Sequence, residues 1–133
     1  CADVNELFAS SDVISLNCFL DESTTNLVNA ASIATMNDSV VIINCARGEV
    51  VNTDDMVAAL RSGTVCGYGA DVLEVEPPPF DHPLFSTPNT AITTHIGSRT
   101  YESVVRQATK ATQNLINFVN GDEPVAQANV LPE

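Results

Sequence analysis

Positive charge is scarce in this sequence. Five Lys and Arg residues stand against seventeen Asp and Glu, for a formal net charge of −12. The five are Arg47, Arg61, Arg99, Arg106 and Lys110, and they form no cluster along the chain. Nucleic acid and anionic membrane surfaces both demand clustered Lys and Arg, so neither is expected as a partner. Long apolar runs are missing too. No stretch reaches the roughly 18 residues of a membrane-spanning helix. The opening residues, Cys1-Ala2-Asp3-Val4-Asn5-Glu6, have neither the basic start nor the apolar centre of a secretory signal. A start at Cys1 rather than Met suggests that the native N-terminus lies further upstream.

Paired cysteines are also lacking. Cys1, Cys18, Cys45 and Cys66 form no CxxC motif, and the two histidines complete no zinc spacing. No metal site is expected, and the four thiols are read as reduced in a cytoplasmic protein. Finally, no GxGxxG loop occurs anywhere in the 133 residues.

What remains is ample for one domain with a hydrophobic core: 133 residues, of which 44% are apolar. Four short runs read as strands: the β-branched Val13 to Cys18, Val40 to Cys45, Cys66 to Leu73, which is weakened by its glycines but bounded by turn signals, and Thr90 to His95. The second is continuously apolar, the pattern of a strand buried on both faces. Helical patterns lie between. Asn52 or Thr53 can cap a helix through Leu60, with Gly63 at the C-terminal glycine position and Met56, Val57 and Leu60 on one face. A weaker pattern runs from Leu27 to Met36. The clearest is the last, where Val104, Ala108, Ala111, Leu115 and Phe118 recur at spacings of four and three. An extended tail is expected after Gly121. Strands alternating with helices predict an α/β fold with a parallel sheet.

In such sheets ligands bind beyond the carboxyl ends of the strands. Arg47, Asp71, Glu76 and His95 all fall there, so the topology predicts one rim that gathers them. Each alone has an ordinary role open to it: Arg47 pairing with a surface acid, Asp71 in a turn, Glu76 on a solvated loop, His95 ending a strand. His82 reads as a loop residue. Together Arg47, Glu76 and His95 suit the reduction of a 2-keto acid. A guanidinium grips a carboxylate with two parallel bonds, which fits Arg47. An imidazole exchanges a proton near neutral pH, which fits His95 as acid or base. A carboxylate beside that ring favours its charged form and fixes its orientation, which fits Glu76.

At these residues the sequence resembles the D-2-hydroxyacid dehydrogenase family. The matching segments are Asn44-Cys45-Ala46-Arg47-Gly48, Ala70-Asp71-Val72-Leu73-Glu74-Val75-Glu76-Pro77-Pro78, Pro88-Asn89 and His95-Ile96-Gly97 followed by Thr100. Ser62-Gly63 and Asp81-His82-Pro83-Leu84 fit as well. The ordered series covers nearly the whole chain, and it looks most like phosphoglycerate or hydroxypyruvate reductase-like members.

The resemblance implies a Rossmann-like parallel sheet, of which residues 1–98 are the C-terminal part. Residues 99–133 would be a long helix and tail returning to a substrate domain. It implies catalysis by Arg47, Glu76 and His95, and a cofactor site touching Cys18, Cys45, Ala46, Arg47, Asp71, His95, Gly97 and Ser98. Asp71 would bond the nicotinamide carboxamide, and Cys18 would border the adenosine half. The implied activity is hydride transfer between NAD and a small 2-hydroxy or 2-keto acid, in a homodimer when complete. NADP stays open, because the residue that reads the ribose 2′ position would lie before Cys1. The substrate domain and the GxGxxG loop would lie there too, so the sequence looks like the C-terminal piece of a longer protein. The other reading is a corepressor-like module that senses dinucleotide through the same fold without turnover.

The pattern is broken at three positions. Phe19 stands where the family has proline at the adenine pocket. Thr94 replaces the proline before the histidine. Glu49 replaces a small or neutral residue, and its negative charge beside Arg47 would weaken anion binding unless it points away.

Overall fold

A computed structural model describes residues 3–125. The chain divides into two compact units, Cys1–Ile96 and Gly97–Glu133.

The first unit is built on four parallel strands in the order β1-β2-β3-β4: Val13–Leu16, Val40–Asn44, Val65–Ala70 and Thr90–Ile92. The α/β fold read from the sequence is the fold observed. All four strands end earlier than their apolar runs predict. Cys18, Cys45, Asp71 to Leu73 and His95 belong to the loops that follow, where the ladder gives way to bonds between loop and strand end. Asp71 N, for instance, donates to Asn44 O at 3.0 Å.

Three helices accompany the sheet: α1 (Val4–Ser10), α2 (Ala30–Ile33) and α3 (Thr53–Ser62). α3 follows its sequence signals closely. The Asn52 side chain accepts from Asp55 N, and Gly63 closes the helix at φ 82°, a left-handed position that favours glycine. Met56, Val57 and Leu60 are buried. α2 is much shorter than the predicted Leu27 to Met36. Its start is set by Val28, which is drawn into extended pairing: Val28 N donates to Val50 O and Asn52 N to Val28 O. Asn29 then caps the helix through a reciprocal bond with Ser32. Asp55 Oδ2 accepts from Ala30 N at 2.8 Å and ties α2 to α3. α1 was not anticipated. Its signals are an Asp3 cap and Phe8, the one buried residue in a helix of seven.

The core gathers Ile14, Leu16, Val40, Ile42, Leu60, Val65 and Tyr68 with Phe8 and Ile33. β2 does not have both faces buried as its apolar run predicts. Val40, Ile42 and Asn44 are buried, but Ile43 is 36% exposed, its neighbour in the sheet, Ser15, is exposed too, and Val13 on the same face of β1 is 60% exposed. In this unit α1 packs against α2, α2 against α3, and α3 against β3.

The second unit holds α4 (Tyr101–Asn120). Thr100 Oγ1 accepts from Ser103 N at 3.2 Å, and Gly121 ends the helix at φ 81°. The apolar stripe predicted on this helix includes Val104, Leu115 and Phe118, and all three are exposed. Val125 N donates to Asn114 Oδ1 at 2.9 Å. The rest of the predicted tail, and Cys1, lie outside the described residues. No helix among the described residues is long and apolar enough to cross a membrane.

Candidate active site

Strand register puts the site on one rim. Leu16 pairs with Asn44, Asn44 with Ala70, and Ala70 with Ile92. The four strands therefore end level, and the loops after them leave the sheet along the same edge.

The loop after β2 is held from below by Asn44, which is fully buried. Its Nδ2 donates to Arg47 O at 2.9 Å and reaches Tyr68 Oη at 3.5 Å, and its Oδ1 accepts from Ala46 N at 3.0 Å. A buried amide with both ends bonded fixes a turn, because breaking either bond strands a polar group away from water. Burial pushes the Tyr68 phenol up to about 12, partly offset by its bond to Asn44, so it stays protonated. Arg47 emerges from this turn with Nη1 donating to Ala46 O at 2.7 Å. It forms no ion pair among the described residues. Gly48 follows for a steric reason. A Cβ there would strike the backbone of Leu73 and Glu74. Only glycine lets the Arg47 loop touch the loop after β3.

Asp71 links the loops after β3 and β4. Its carbonyl accepts from His95 N at 2.8 Å. Its Oδ1 accepts from Thr93 Oγ1 at 2.5 Å and from Ile96 N at 2.9 Å. These bonds surround His95, whose φ of 55° is in the left-handed region that a non-glycine residue seldom occupies unless its surroundings hold it there. Glu76 completes the arrangement. Its Oε1 accepts from Leu73 N at 3.1 Å, and its Oε2 lies 2.7 Å from His95 Nδ1. An ionised carboxylate only accepts, so Nδ1 carries the proton and Nε2 is the ring atom left for another partner. The bond to His95 holds the Glu76 carboxyl below its ordinary value of 4.5; partial burial opposes this, and the Leu73 N–H adds to it.

Three hollows open along the rim. A cleft of about 290 Å³ is lined by Arg47, Gly48, Glu49, Leu73, Glu74, Glu76 and His95. Thus Arg47, Glu76 and His95 face one space. A second, of about 490 Å³, is lined by Asn17, Cys18, Phe19, Leu20, Cys45, Ala46 and Arg47. Arg47 borders both. A third, of about 340 Å³, contains Asp71, Phe85, Ile92 and Thr94 beside Glu76 and His95. Gly97 and Ser98 open the second unit, where Ser98 O accepts from Gln107 Nε2 at 3.4 Å.

Sequence reading understated two residues. Asn44 was only a letter in a motif, although a lone amide ending an apolar strand is the signal of a buried, bonded side chain. His82, read as a loop residue, is 4% exposed. Its Nδ1 accepts from Leu84 N at 3.3 Å, its Nε2 meets Glu74 Oε1 at 3.2 Å, and its ring lies 5.5 Å from that of Phe85. The neighbouring Pro83, which starts a 3-10 turn, was the clue. Among the departures, Phe19 is 92% exposed at the rim of the second hollow, and Glu49 lines the Arg47 cleft.

The second hollow fits one wall of a dinucleotide site. It sits at the carboxyl ends of β1 and β2, and exposed Cys45 and small Ala46 leave the backbone approachable. A glycine-rich phosphate loop is not in the sequence, so the fit is limited to this wall.

Residues 1–97 match the family model described as D-isomer specific 2-hydroxyacid dehydrogenase, NAD binding domain. The chain is 38% identical over 127 residues to a glyoxylate reductase of Thermofilum pendens, covering 96% of this chain and 38% of that protein. It is 41% identical over 127 residues to a hydroxypyruvate reductase of Blautia hydrogenotrophica, covering 96% and 39%. The crystal structure of an NAD-dependent formate dehydrogenase from Staphylococcus aureus in complex with NAD superposes with a TM-score of 0.88 at 32% identity, over 99% of this chain and 40% of that one. The chain spans about two fifths of the length of the relatives it matches.

Proposed function

The chain belongs to the D-isomer specific 2-hydroxyacid dehydrogenase family, and from that premise we propose that its rim is the catalytic side of an oxidoreductase acting on a small 2-hydroxy or 2-keto acid with NAD. The observation that carries the reading is the 2.7 Å contact of Glu76 Oε2 with His95 Nδ1 in a cleft that Arg47 also lines.

Arg47 binds the substrate carboxylate through its guanidinium and draws charge toward the adjacent carbonyl oxygen. His95 Nε2 gives that oxygen a proton in reduction and takes it back in oxidation. Glu76 keeps the proton on Nδ1, orients the ring and favours its charged form. The nicotinamide supplies or accepts the hydride at C2 when bound. Cys18, Cys45, Ala46 and Arg47, which line the second hollow, would hold the cofactor, and the family resemblance adds Asp71, His95, Gly97 and Ser98 as residues that would contact it. A homodimer and a cytoplasmic location belong to the same proposal, on the strength of the family resemblance.

The test is oxidation of NADH by the full-length gene product when a 2-keto acid is added. The reading expects turnover that depends on the acid. NADH binding without turnover of any 2-keto acid would overturn it and leave a dinucleotide-sensing module.

A further inference from the structure

The Arg47 cleft holds more negative charge than proton transfer requires. Glu49, Glu74 and Glu76 line it together with Arg47 and His95. Glu76 is engaged by His95 and by Leu73 N. The other two are not engaged by His95. Glu49 uses its backbone carbonyl, which accepts from Asn26 N at 2.8 Å, and its residue is exposed. Glu74 is bonded through Oε1 to Nε2 of His82. Because Nδ1 of that ring accepts from Leu84 N, the ring's single proton is on Nε2. A neutral donor fixes the Glu74 carboxylate in place and leaves its charge uncancelled. Both glutamates also line the adjoining hollow with Asp54, so the negative field continues past the cleft.

We propose that Glu49 and Glu74 restrict this cleft to monoanionic 2-keto and 2-hydroxy acids, and disfavour acids that carry a second carboxylate or a phosphate. The inference rests on the dehydrogenase reading above and concerns the charge class of its substrate. One substrate carboxylate pairs with Arg47, the only Lys or Arg among the described residues that line the cleft. Among the described residues that line this space, a second anionic group meets no further cation except His95, which is held by Glu76, and it faces the carboxylates of Glu49 and Glu74. Selectivity of this kind comes from repulsion of the wrong ligand as much as from attraction of the right one. In a cleft open to water, two like charges at several ångströms amount to discrimination on the order of tenfold, reduced by added salt.

The experiment measures kcat/KM of the full-length protein with NADH for oxaloacetate and for its side-chain monoamide, matched in shape but lower in charge, with glyoxylate as a reference monoanion. Each is repeated at low and high ionic strength, in the wild type and in the double variant Glu49→Gln, Glu74→Gln. Both positions are exposed, and circular dichroism checks that the variant is folded. The expected result is preference for the amide in the wild type, a gap that narrows with salt, and a shift of roughly tenfold toward the dianion in the variant. Equal use of dianion and amide by the wild type overturns the inference and leaves the dehydrogenase reading intact. So does a preference that the double variant and salt leave unchanged, since it then arises from shape. Failure of these three and of every other 2-keto acid to support NADH oxidation overturns the dehydrogenase reading and the inference with it.

Discussion

The Glu76 carboxylate and the His95 ring, nineteen residues apart in sequence, meet at 2.7 Å because two level strand ends bring their loops together. Neither side chain is deeply buried, at 38% and 45% exposed, so the contact is open to solvent and to substrate.

That contact sets a titration. Its bond to His95 is the largest cause of the lowered Glu76 pKa. A carboxyl lowered in the fold contributes stability above its unfolded value, and that contribution is lost as pH falls through the lowered one. Carbon-detected NMR of the Glu76 carboxyl is expected to show a midpoint below 4.5 in the wild type. In His95→Ala the midpoint is expected to move upward. An identical midpoint in both proteins would show that the ring is not the cause.

Gly48 is expected to tolerate no side chain. A Cβ there meets the Leu73 and Glu74 backbone, which cannot swing aside as a flexible side chain would. Gly48→Ala should cost about 1–3 kcal/mol in urea unfolding, the usual range for overpacking. A neutral effect would mean that the two loops separate easily.

Dinucleotide affinity is expected to be weak in the 133-residue chain taken by itself. The wall beside Cys45 and Ala46 is present, but the glycine-rich loop that would cradle the phosphates is not in the sequence. Fluorescence titration with NADH should give a dissociation constant well above the micromolar range, on the order of 100 µM or weaker. Micromolar binding would show that these residues hold the cofactor without the loop.

Much of this was legible in the sequence because it rests on local rules. Asn52 and Gly63 bracket α3 where capping chemistry puts them, and the short runs between turn signals locate all four strands. The rim followed from topology alone, since parallel strands send their following loops to one side. What was hidden depends on contacts between distant residues. The Leu27 to Met36 pattern lost its start when Val28 paired beside Val51, a choice made by the tertiary fold. Buried His82 depends on Glu74 and Leu84 for its bonds, which no window around Asp81-His82-Pro83 contains. The exposed side of β2 shows the same limit: an apolar run reveals what a strand can bury, while its neighbours decide what it does bury.

The central claim is that Arg47 and His95 act on substrate. It is tested most directly by kcat/KM of the full-length protein for NADH-dependent reduction of a 2-keto acid, in the wild type, Arg47→Ala and His95→Ala. Loss of a proton donor or of the cation that binds and polarises substrate is expected to lower kcat/KM by about 10²-fold or more in each variant. Wild-type kcat/KM in either variant would contradict the role assigned to that residue.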